Sequence, residues 1–569
     1  MVKAAKVLTT DVLVMGGGIS GLMAANKAID QGVKVLIADK CNALWGGQMP
    51  AAGGGFSCMG TPEEVDADVR FISKEGGYLN NQELLYTFVR DCWPALQEAA
   101  EWGLPFPRDL SGKIYHTRPG WMRMIDTDKV LPTLLGRALM KGARALNKVY
   151  LVSLLKQDGR VVGAVGFHYQ TGDFYIIQSK ATVIASGGCS FKSGALFHMN
   201  CGEGVASAYH AGAELRNAEF GNTYRPSSKF TQKDCRGSAV LLNYFENALG
   251  ENMIRKYPEM NPLLSPETPP WRSGFIFKRW TRAFYKEIEA GRGPIYLNLI
   301  GQSVPEAGNF EKPTEVWGSS FKSRTHGYIN MAHKAGIDVN KEKLEWYPVP
   351  EFNGGPIRIG LNCETTLPGL YAVGDAGQTG SAYLGAMEHN GMGGIGLGYA
   401  SVSGYKGGVA AGKAVAAVPE PHYSTAEVER LRKEIYAPLD VKDGYSPYEA
   451  IKEIQQVVFK LKNSYFKHQD RLEKALSLIE EVKEKLPGLM AKDSHELVRC
   501  HEAKSMAFNA EILFKASLMR TETRGTNIRE DYPQTDNQNW LKWIIIKKED
   551  GEMQFSTESV PIAKYKYKP

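Results

Sequence analysis

The sequence predicts an α/β protein: one strand-and-helix domain split in two by an inserted α+β domain and followed by a helical domain. Three observations predict it. A glycine turn, Gly16-Gly17-Gly18-Ile19-Ser20-Gly21, stands between an apolar strand and a helix near the start. Two further apolar strands end in glycine, at Ala181–Gly188 and Gly369–Gly377, on either side of a stretch of different texture. Beyond Thr425 the apolar spacing becomes helical, as in Leu472, Leu476, Ile479 and Val482. At 569 residues the chain is too long for one ordinary core. The boundaries read from these shifts are 1–220 and 348–424 for the two halves of the split domain and 221–347 for the insertion. Helices follow over 425–520 and a tail over 521–569.

The first strand, Asp11–Met15, opens directly into the glycine turn and then into helical sequence from Leu22 to Ile29. This is the G-x-G-x-x-G pattern in the context it needs. Gly16 makes the tight turn, Gly18 lets backbone approach a pyrophosphate, and Gly21 lets helix pack on strand. A helix N-terminus there offers free N–H groups to phosphates. The next strand, Val33–Ala38, ends in Asp39, where a carboxylate can accept from a ribose hydroxyl. The whole is a Rossmann-like dinucleotide site.

Cys41–Gly60 is too rich in glycine for a regular element and suits close approach to a flat ligand. Helices are predicted over Thr61–Gly103. Val149–Lys156, Arg160–Tyr169 and Asp173–Lys180 read as antiparallel strands, with Ala181–Gly188 as a separate buried strand and Gly204–Ala213 as a helix. The insertion carries Trp271, Arg272, Lys278, Arg279, Trp280 and Arg282. After Gly380 comes a glycine run and a small-residue helix to Ala416. About three helices are expected between Thr425 and Met519, with a break at Pro487-Gly488. NWLKWIIIKK reads as a strand, and the ending AKYKYKP as a solvated tail or a partner-docking segment.

A formal charge of +6 gives no case for nucleic acid. No apolar run approaches the roughly 20 residues that cross a bilayer, and MVKAAKVLTTD lacks a signal-peptide core, so a cytoplasmic protein is expected. The eight cysteines form no C-x-x-C pair, and their scatter argues against an iron–sulfur cluster, a zinc site or a disulfide scaffold within this chain and for buried reduced thiols. A one-electron carrier would then sit on another polypeptide.

Several separated segments together resemble one family, the flavoproteins of fumarate reductase, succinate dehydrogenase, aspartate oxidase and adenylylsulfate reductase. They are the glycine turn, Ala185-Ser186-Gly187-Gly188, Gly202-Glu203-Gly204 with Ala211-Gly212-Ala213, Gly369–Asp375, and Glu522-Thr523-Arg524-Gly525 leading to Arg529-Glu530-Asp531-Tyr532-Pro533. Glu101–Arg108, Gly163–Gly172, Glu289–Tyr296 and Asn539–Ile545 resemble the adenylylsulfate reductase α subunit most. The resemblance implies FAD, a capping domain over its ring, and hydride transfer at the flavin. It assigns cofactor contacts to Gly16, Gly18, Gly21, Asp39, Lys40, Gly47, Gln48, Gly54, Gly187, Glu203, Gly374, Asp375 and Gly394.

Departures from the family pattern carry the functional expectation. Many respiratory members attach FAD covalently to a histidine before an A-A-x-G-G run. Here Gln48 stands in that segment, so the flavin is expected to be non-covalent. The H-P-T-G of the dicarboxylate enzymes appears as Arg225-Pro226-Ser227-Ser228, and their second histidine meets Pro350–Asn353 before Gly354-Gly355. Their capping-helix arginine falls near Phe277, and their last arginine near Gly391, beside His389 and Asn390. A dicarboxylate wants bidentate guanidinium at fixed points, so plain C4 dicarboxylates are not expected.

Arg225 and Tyr224 are candidates for substrate contact, with a surface salt bridge as the equal alternative for Arg225. His389 can donate a proton or bind an anion. Lys278, Arg279 and Arg282 suit a solvated helix face equally well, and Trp45, Phe56 and Trp121 suit ring stacking or, more commonly, core packing. The expected function is an FAD-dependent oxidoreductase acting on a small anionic substrate, capable of oligomerising and working with an iron–sulfur or quinone-linked subunit. The alternatives are adenylylsulfate reduction proper, an electron-relay role without its own substrate, and an enoate reductase or oxidase with a rebuilt anion site.

Overall fold

Five parallel strands explain why the glycine-ended segments belong together. A computed structural model describes residues 5–52, 54–114, 121–123, 126–193, 199–229, 241, 243–260, 274–302, 329, 331–387 and 394–569. In the main sheet Arg144–Asn147, Val35–Asp39, Lys6–Met15 and Phe174–Ile184 lie side by side, and Leu370–Ala372 pairs with the end of Phe174–Ile184. All five run parallel. Val12–Met15, Val35–Ala38 and Ala181–Ile184 are almost wholly apolar, as strands covered on both faces must be. The helices Ile19–Ile29 and Ile395–Ala414 pack on the sheet, and Val130–Met140 packs on Ile19–Ile29.

Phe174–Ile184 is one strand of eleven residues, not two segments meeting at residue 180. Its first half pairs antiparallel with Arg160–His168, which in turn pairs with Val149–Gln157, while the whole strand runs parallel to Lys6–Met15. The polar residues Gln178 and Lys180, which read as a boundary, lie where one partner gives way to the other.

Within the insertion, four antiparallel strands (Tyr224–Ser228, Leu344–Pro350, Ile295–Leu297, Phe245–Glu246) carry the helix Gly274–Glu289. Trp280, Ala283 and Phe284 are fully buried against Phe245 and Trp346, so this helix is not a purely solvated face. Glu287, also fully buried, accepts from Arg292, Tyr257 and Asn247, and these partners hold its carboxyl well below the usual range against the opposing effect of burial.

The C-terminal part holds more helices than the three expected: Thr425–Tyr436, Pro447–Val458, Leu461–Ser464, Gln469–Lys485 and Ser494–Met519. Their apolar faces share a core with Tyr150, Phe167 and Phe174 of the antiparallel strands. The tail is not a solvated extension. The hairpin Lys542–Glu549 with Glu552–Ser559 adds to Leu215–Arg216 as a three-stranded sheet. Tyr565 is buried, and Tyr567 exchanges two hydrogen bonds with Gln82 through its backbone. No helix among the described residues is long and apolar enough to cross a membrane.

Candidate active site

Parallel pairing sets the sheet's carboxyl-terminal ends in one row. Met15 lies beside Ala38 and Ile184, and Ile184 beside Ala372. The chain leaves that row at Gly16–Gly18, Asp39-Lys40, Ser186-Gly187 and Gly374-Asp375, so four segments far apart in sequence open on one edge. In open parallel sheets, ligands bind at that edge.

At the first of these exits, Gly18 caps the helix Ile19–Ile29 with extended backbone and no side-chain hydrogen bond. The helix's first N–H groups are thus left for a ligand. A side chain on Gly18 would meet nothing within 4 Å, whereas one on Gly21 would collide with the carbonyl of Gly16. The two glycines therefore do different work: one keeps an approach open and the other permits helix-on-strand contact. Asp39 is buried and accepts from the Gly17 N–H at 2.7 Å and the Cys41 N–H at 2.6 Å, which fixes its carboxylate beside the turn.

At the far end of the row Gln48 donates to Asp375 Oδ2 at 2.8 Å. Asp375 Oδ1 is buried without a hydrogen-bond partner, and so is Ser186 Oγ. Buried polar atoms are normally satisfied. Two such orphans on the edge that bears an uncapped helix N-terminus fit the hydroxyl-rich chain and pyrophosphate of a dinucleotide. Gly47 and Gly54 flank the short turn Met49–Ala51, and Gly394 caps the helix Ile395–Ala414.

Lys40 and Glu203 lie in a buried ion cluster. The Lys40 ammonium pairs with Glu203, lies 3.3 Å from Glu502, and donates to the Met199 carbonyl at 2.6 Å. Burial works against its charge, but Glu203, the Cys201 thiol and Glu502 hold its pKa well above the ordinary lysine value. Glu502 is raised by burial, yet Lys40, Lys192 and Arg499 bring it down to about 2. Cys201, Glu203 and Glu502 are close enough together to hold a metal ion, but Lys40 already supplies the positive charge there.

Arg225 is 4% exposed and ion-paired with Glu351. The expected alternative is a surface salt bridge, whereas this ion pair is interior. Tyr224 is also buried, with its hydroxyl 3.0 Å from Ser464 Oγ and 3.4 Å from the Val458 carbonyl, and its ring packs on Phe352 and Tyr465. Burial raises its pKa well above the ordinary tyrosine value. The candidate substrate contact thus faces the helical part. Lys278 donates to the Gly525 carbonyl at 2.8 Å, and Gly525 packs against Ala386. His389, Asn390, Gly391, Trp271, Arg272 and the side chains of Phe277 and Trp121 lie outside the described residues. Trp45 is exposed and Phe56 is buried edge-on to Phe106.

Sequence reasoning does not find Ser186, Glu351 and Glu502 as members of this region. Ser186 stands inside the Ala185–Gly188 motif, and its position after a strand end is the available signal. Glu351 stands in Pro350–Asn353, the segment at the family's second histidine, which is its signal; Glu502 gives none, because its partners Lys40 and Lys192 are remote in sequence.

A family model described as FAD binding domain matches residues 11–393, and one described as fumarate reductase flavoprotein C-term matches residues 452–569. An uncharacterised FAD-dependent oxidoreductase of Methanocaldococcus jannaschii is 27% identical over 95% of this chain and 96% of its own. One chain of a fumarate reductase (CoM/CoB) from Methanothermobacter marburgensis is 24% identical over 95% and 97%. Among solved structures, an E. coli quinol fumarate reductase chain superposes with a TM-score of 0.83 at 20% identity, covering 99% of both chains. Adenylylsulfate reductase from Archaeoglobus fulgidus gives 0.77 at 22% identity, covering 99% of this chain and 98% of that one.

Proposed function

The chain belongs to the FAD-binding-domain family, and from that premise we propose a flavoprotein subunit that moves electrons between a small anionic substrate, not a plain C4 dicarboxylate, and a separate redox protein. Membership makes it an FAD-dependent oxidoreductase of the fumarate reductase and succinate dehydrogenase type. The observation that carries the substrate reading is the buried Arg225–Glu351 pair. Clamping two carboxylates needs guanidinium charge that is free to pair with them. The arginine at the H-P-T-G position is already balanced by a carboxylate of its own chain.

Bound FAD supplies the two-electron chemistry. The uncapped helix N-terminus at Gly18 would hold its pyrophosphate, Asp39 a ribose hydroxyl, and Asp375, oriented by Gln48, the hydroxyls of its linking chain. Glu203 would serve the adenosine side beside Lys40. His389 would meet the substrate anion or hand it a proton. Tyr224 takes no part in this scheme; it anchors the strand that carries Arg225. Relatives named as subunits of larger enzymes favour an iron–sulfur or quinone-linked partner.

In an assay driven by a reduced viologen, fumarate is expected to give no turnover, and succinate no bleaching of the flavin band. Fumarate turnover at ordinary enzyme rates, roughly 1–1,000 per second, would overturn the substrate reading. The neutral Arg225–Glu351 pair also suits an electron-relay subunit. That reading gains if a panel of small sulfur, phosphorus and carboxylate anions leaves the flavin spectrum unchanged while a co-purifying partner still reduces it.

Gln48 has no nucleophilic ring nitrogen and its amide is engaged by Asp375, so the flavin is held without a covalent bond. Acid precipitation of the holoprotein is expected to release all the yellow colour into the supernatant. Colour retained in the washed pellet would show attachment at some other residue.

A further inference from the structure

Two cysteines that the scheme above does not use face each other across a pair of extended segments. Cys189, just after Gly187-Gly188, is paired on both sides. With Gly354 it exchanges both backbone hydrogen bonds, at 2.6 and 2.9 Å. On its other side it lies opposite Cys201 in an antiparallel bridge. That bridge is closed by a flanking residue, since the Ser190 N–H donates to the Asn200 carbonyl at 3.3 Å. Cys189 and Cys201 thus form a non-hydrogen-bonded pair. Such pairs bring opposed Cα atoms to about 4.5 Å with side chains on one face. A disulfide spans Cα atoms roughly 4.4–6.8 Å apart.

Two further observations bear on chemistry at this pair. Cys189 lines a cavity with Phe191, Phe220, Phe352, Asn509 and Leu513, between the strand ends and the helix Ser494–Met519. The Lys192 ammonium lies 3.9 Å from Cys201 Sγ, where it and Lys40 favour a thiolate while burial, Glu502 and Glu203 oppose one. The other described cysteines have no cysteine opposite them in a strand pair or bridge.

We propose that Cys189 and Cys201 are a reversible dithiol–disulfide couple that exchanges with small organic disulfides. The Cys189 thiolate attacks one sulfur of the incoming disulfide, joins it, and expels one small thiolate, which takes up the proton Cys189 gave. The Cys201 thiolate then attacks Cys189 Sγ, forming the internal bond and expelling the second small thiol. Two protein thiols lose two electrons, one small disulfide gains them, and no proton is left over. Both thiols are buried and the cavity beside Cys189 has room for about one water, so an incoming disulfide reaches them only when this wall opens. Burial also holds both thiols above the ordinary cysteine range, and the exchange is slow. The bond would tie the backbone that pairs with Gly354 to the segment entering Gly202-Glu203, and so stiffen the wall beside Lys40.

The test equilibrates the flavin-loaded protein anaerobically in glutathione buffers from fully reduced to fully oxidised, then alkylates it under denaturing conditions. Of the eight cysteines, all eight are expected to alkylate at the reduced end and six at the oxidised end. Because trypsin cuts after Lys192, the two missing thiols should appear as a Cys189 peptide linked to a Cys201 peptide. Free alkylated Cys189 and Cys201 in folded, oxidised protein would overturn the proposal, as would separate glutathione adducts on each. In Cys201→Ser the expected product is a glutathione adduct at Cys189, and an unmodified Cys189 in folded variant would overturn the order of attack. If that variant does not fold, the wild-type peptide map decides.

Discussion

Glu522→Ala is expected to lower the first unfolding transition by the largest margin of any single polar substitution in the chain, about 3–5 kcal/mol. Glu522 is fully buried and accepts from Arg520 at 3.0 Å, from Arg524 at 2.7 and 2.8 Å, and from the Asp536 N–H at 2.8 Å. Arg520, itself fully buried, also reaches Glu219 at 2.8 Å and the carbonyls of Trp540 and Lys542. Arg524 reaches the Gly77 carbonyl. Removing the one carboxylate shared by both guanidiniums leaves Arg524 without its carboxylate and Arg520 with Glu219 alone. Lys467 lies in the same interior, its pKa driven well below the ordinary value by burial. Glu522→Gln keeps the shape and part of the bonding and should cost less. The check is the urea midpoint followed by tryptophan fluorescence. As a control, breaking the exposed Arg430–Glu434 pair should move stability by no more than about 0.5 kcal/mol. Equal effects at the two sites would refute the argument.

Gly404→Leu is expected to yield folded protein that has lost most of its flavin. The helix Ile395–Ala414 crosses the helix that begins at the glycine turn, with Gly404 over the Ser20 carbonyl and Gly408 over the Ala24 carbonyl. Even a methyl group at either position would run into backbone. A larger side chain must push the helices apart, and Ser20 lies in the first turn that would hold the pyrophosphate. Overpacking costs about 1–3 kcal/mol, which as lost cofactor affinity is roughly 5- to 150-fold. The ratio of flavin to protein absorbance after gel filtration measures it. Gly136→Ala, in a helix where the added carbon meets nothing within 4 Å, should leave that ratio unchanged. A Gly404 variant that keeps full flavin would show that the crossing does not position the turn.

The cofactor half of the region is legible because spacing alone sets its backbone. Gly16 to Gly21 dictate a turn and a helix start wherever they occur, and Asp39 and Asp375 follow strand ends that apolar runs announce. The substrate half is not. Arg225 stands out by its place in the H-P-T-G segment, but that place does not reveal Glu351, which the pairing of Tyr224–Ser228 with Leu344–Pro350 brings beside it. Lys40 and Glu502 are 462 residues apart. Charge pairs of that separation leave no periodicity in a chain. The tail misleads for a related reason. AKYKYKP has the composition of a solvated end, and its docking depends on Gln82 and Asp66, which belong to elements near the other end of the sequence.

That docking has a kinetic side. Trp543 donates its indole N–H to the Leu79 carbonyl 464 residues earlier, and Gln82 donates to the Tyr567 carbonyl across 485. The edge at Leu215–Arg216 stays open until the hairpin beginning at Lys542 arrives. Contacts that far apart must close a very long loop of chain before they return any stabilisation, and proteins rich in them fold slowly. During synthesis the glycine turn therefore emerges long before the structure that closes around it is complete. Secure seating of the flavin becomes one of the last events in the molecule's assembly, not one of the first.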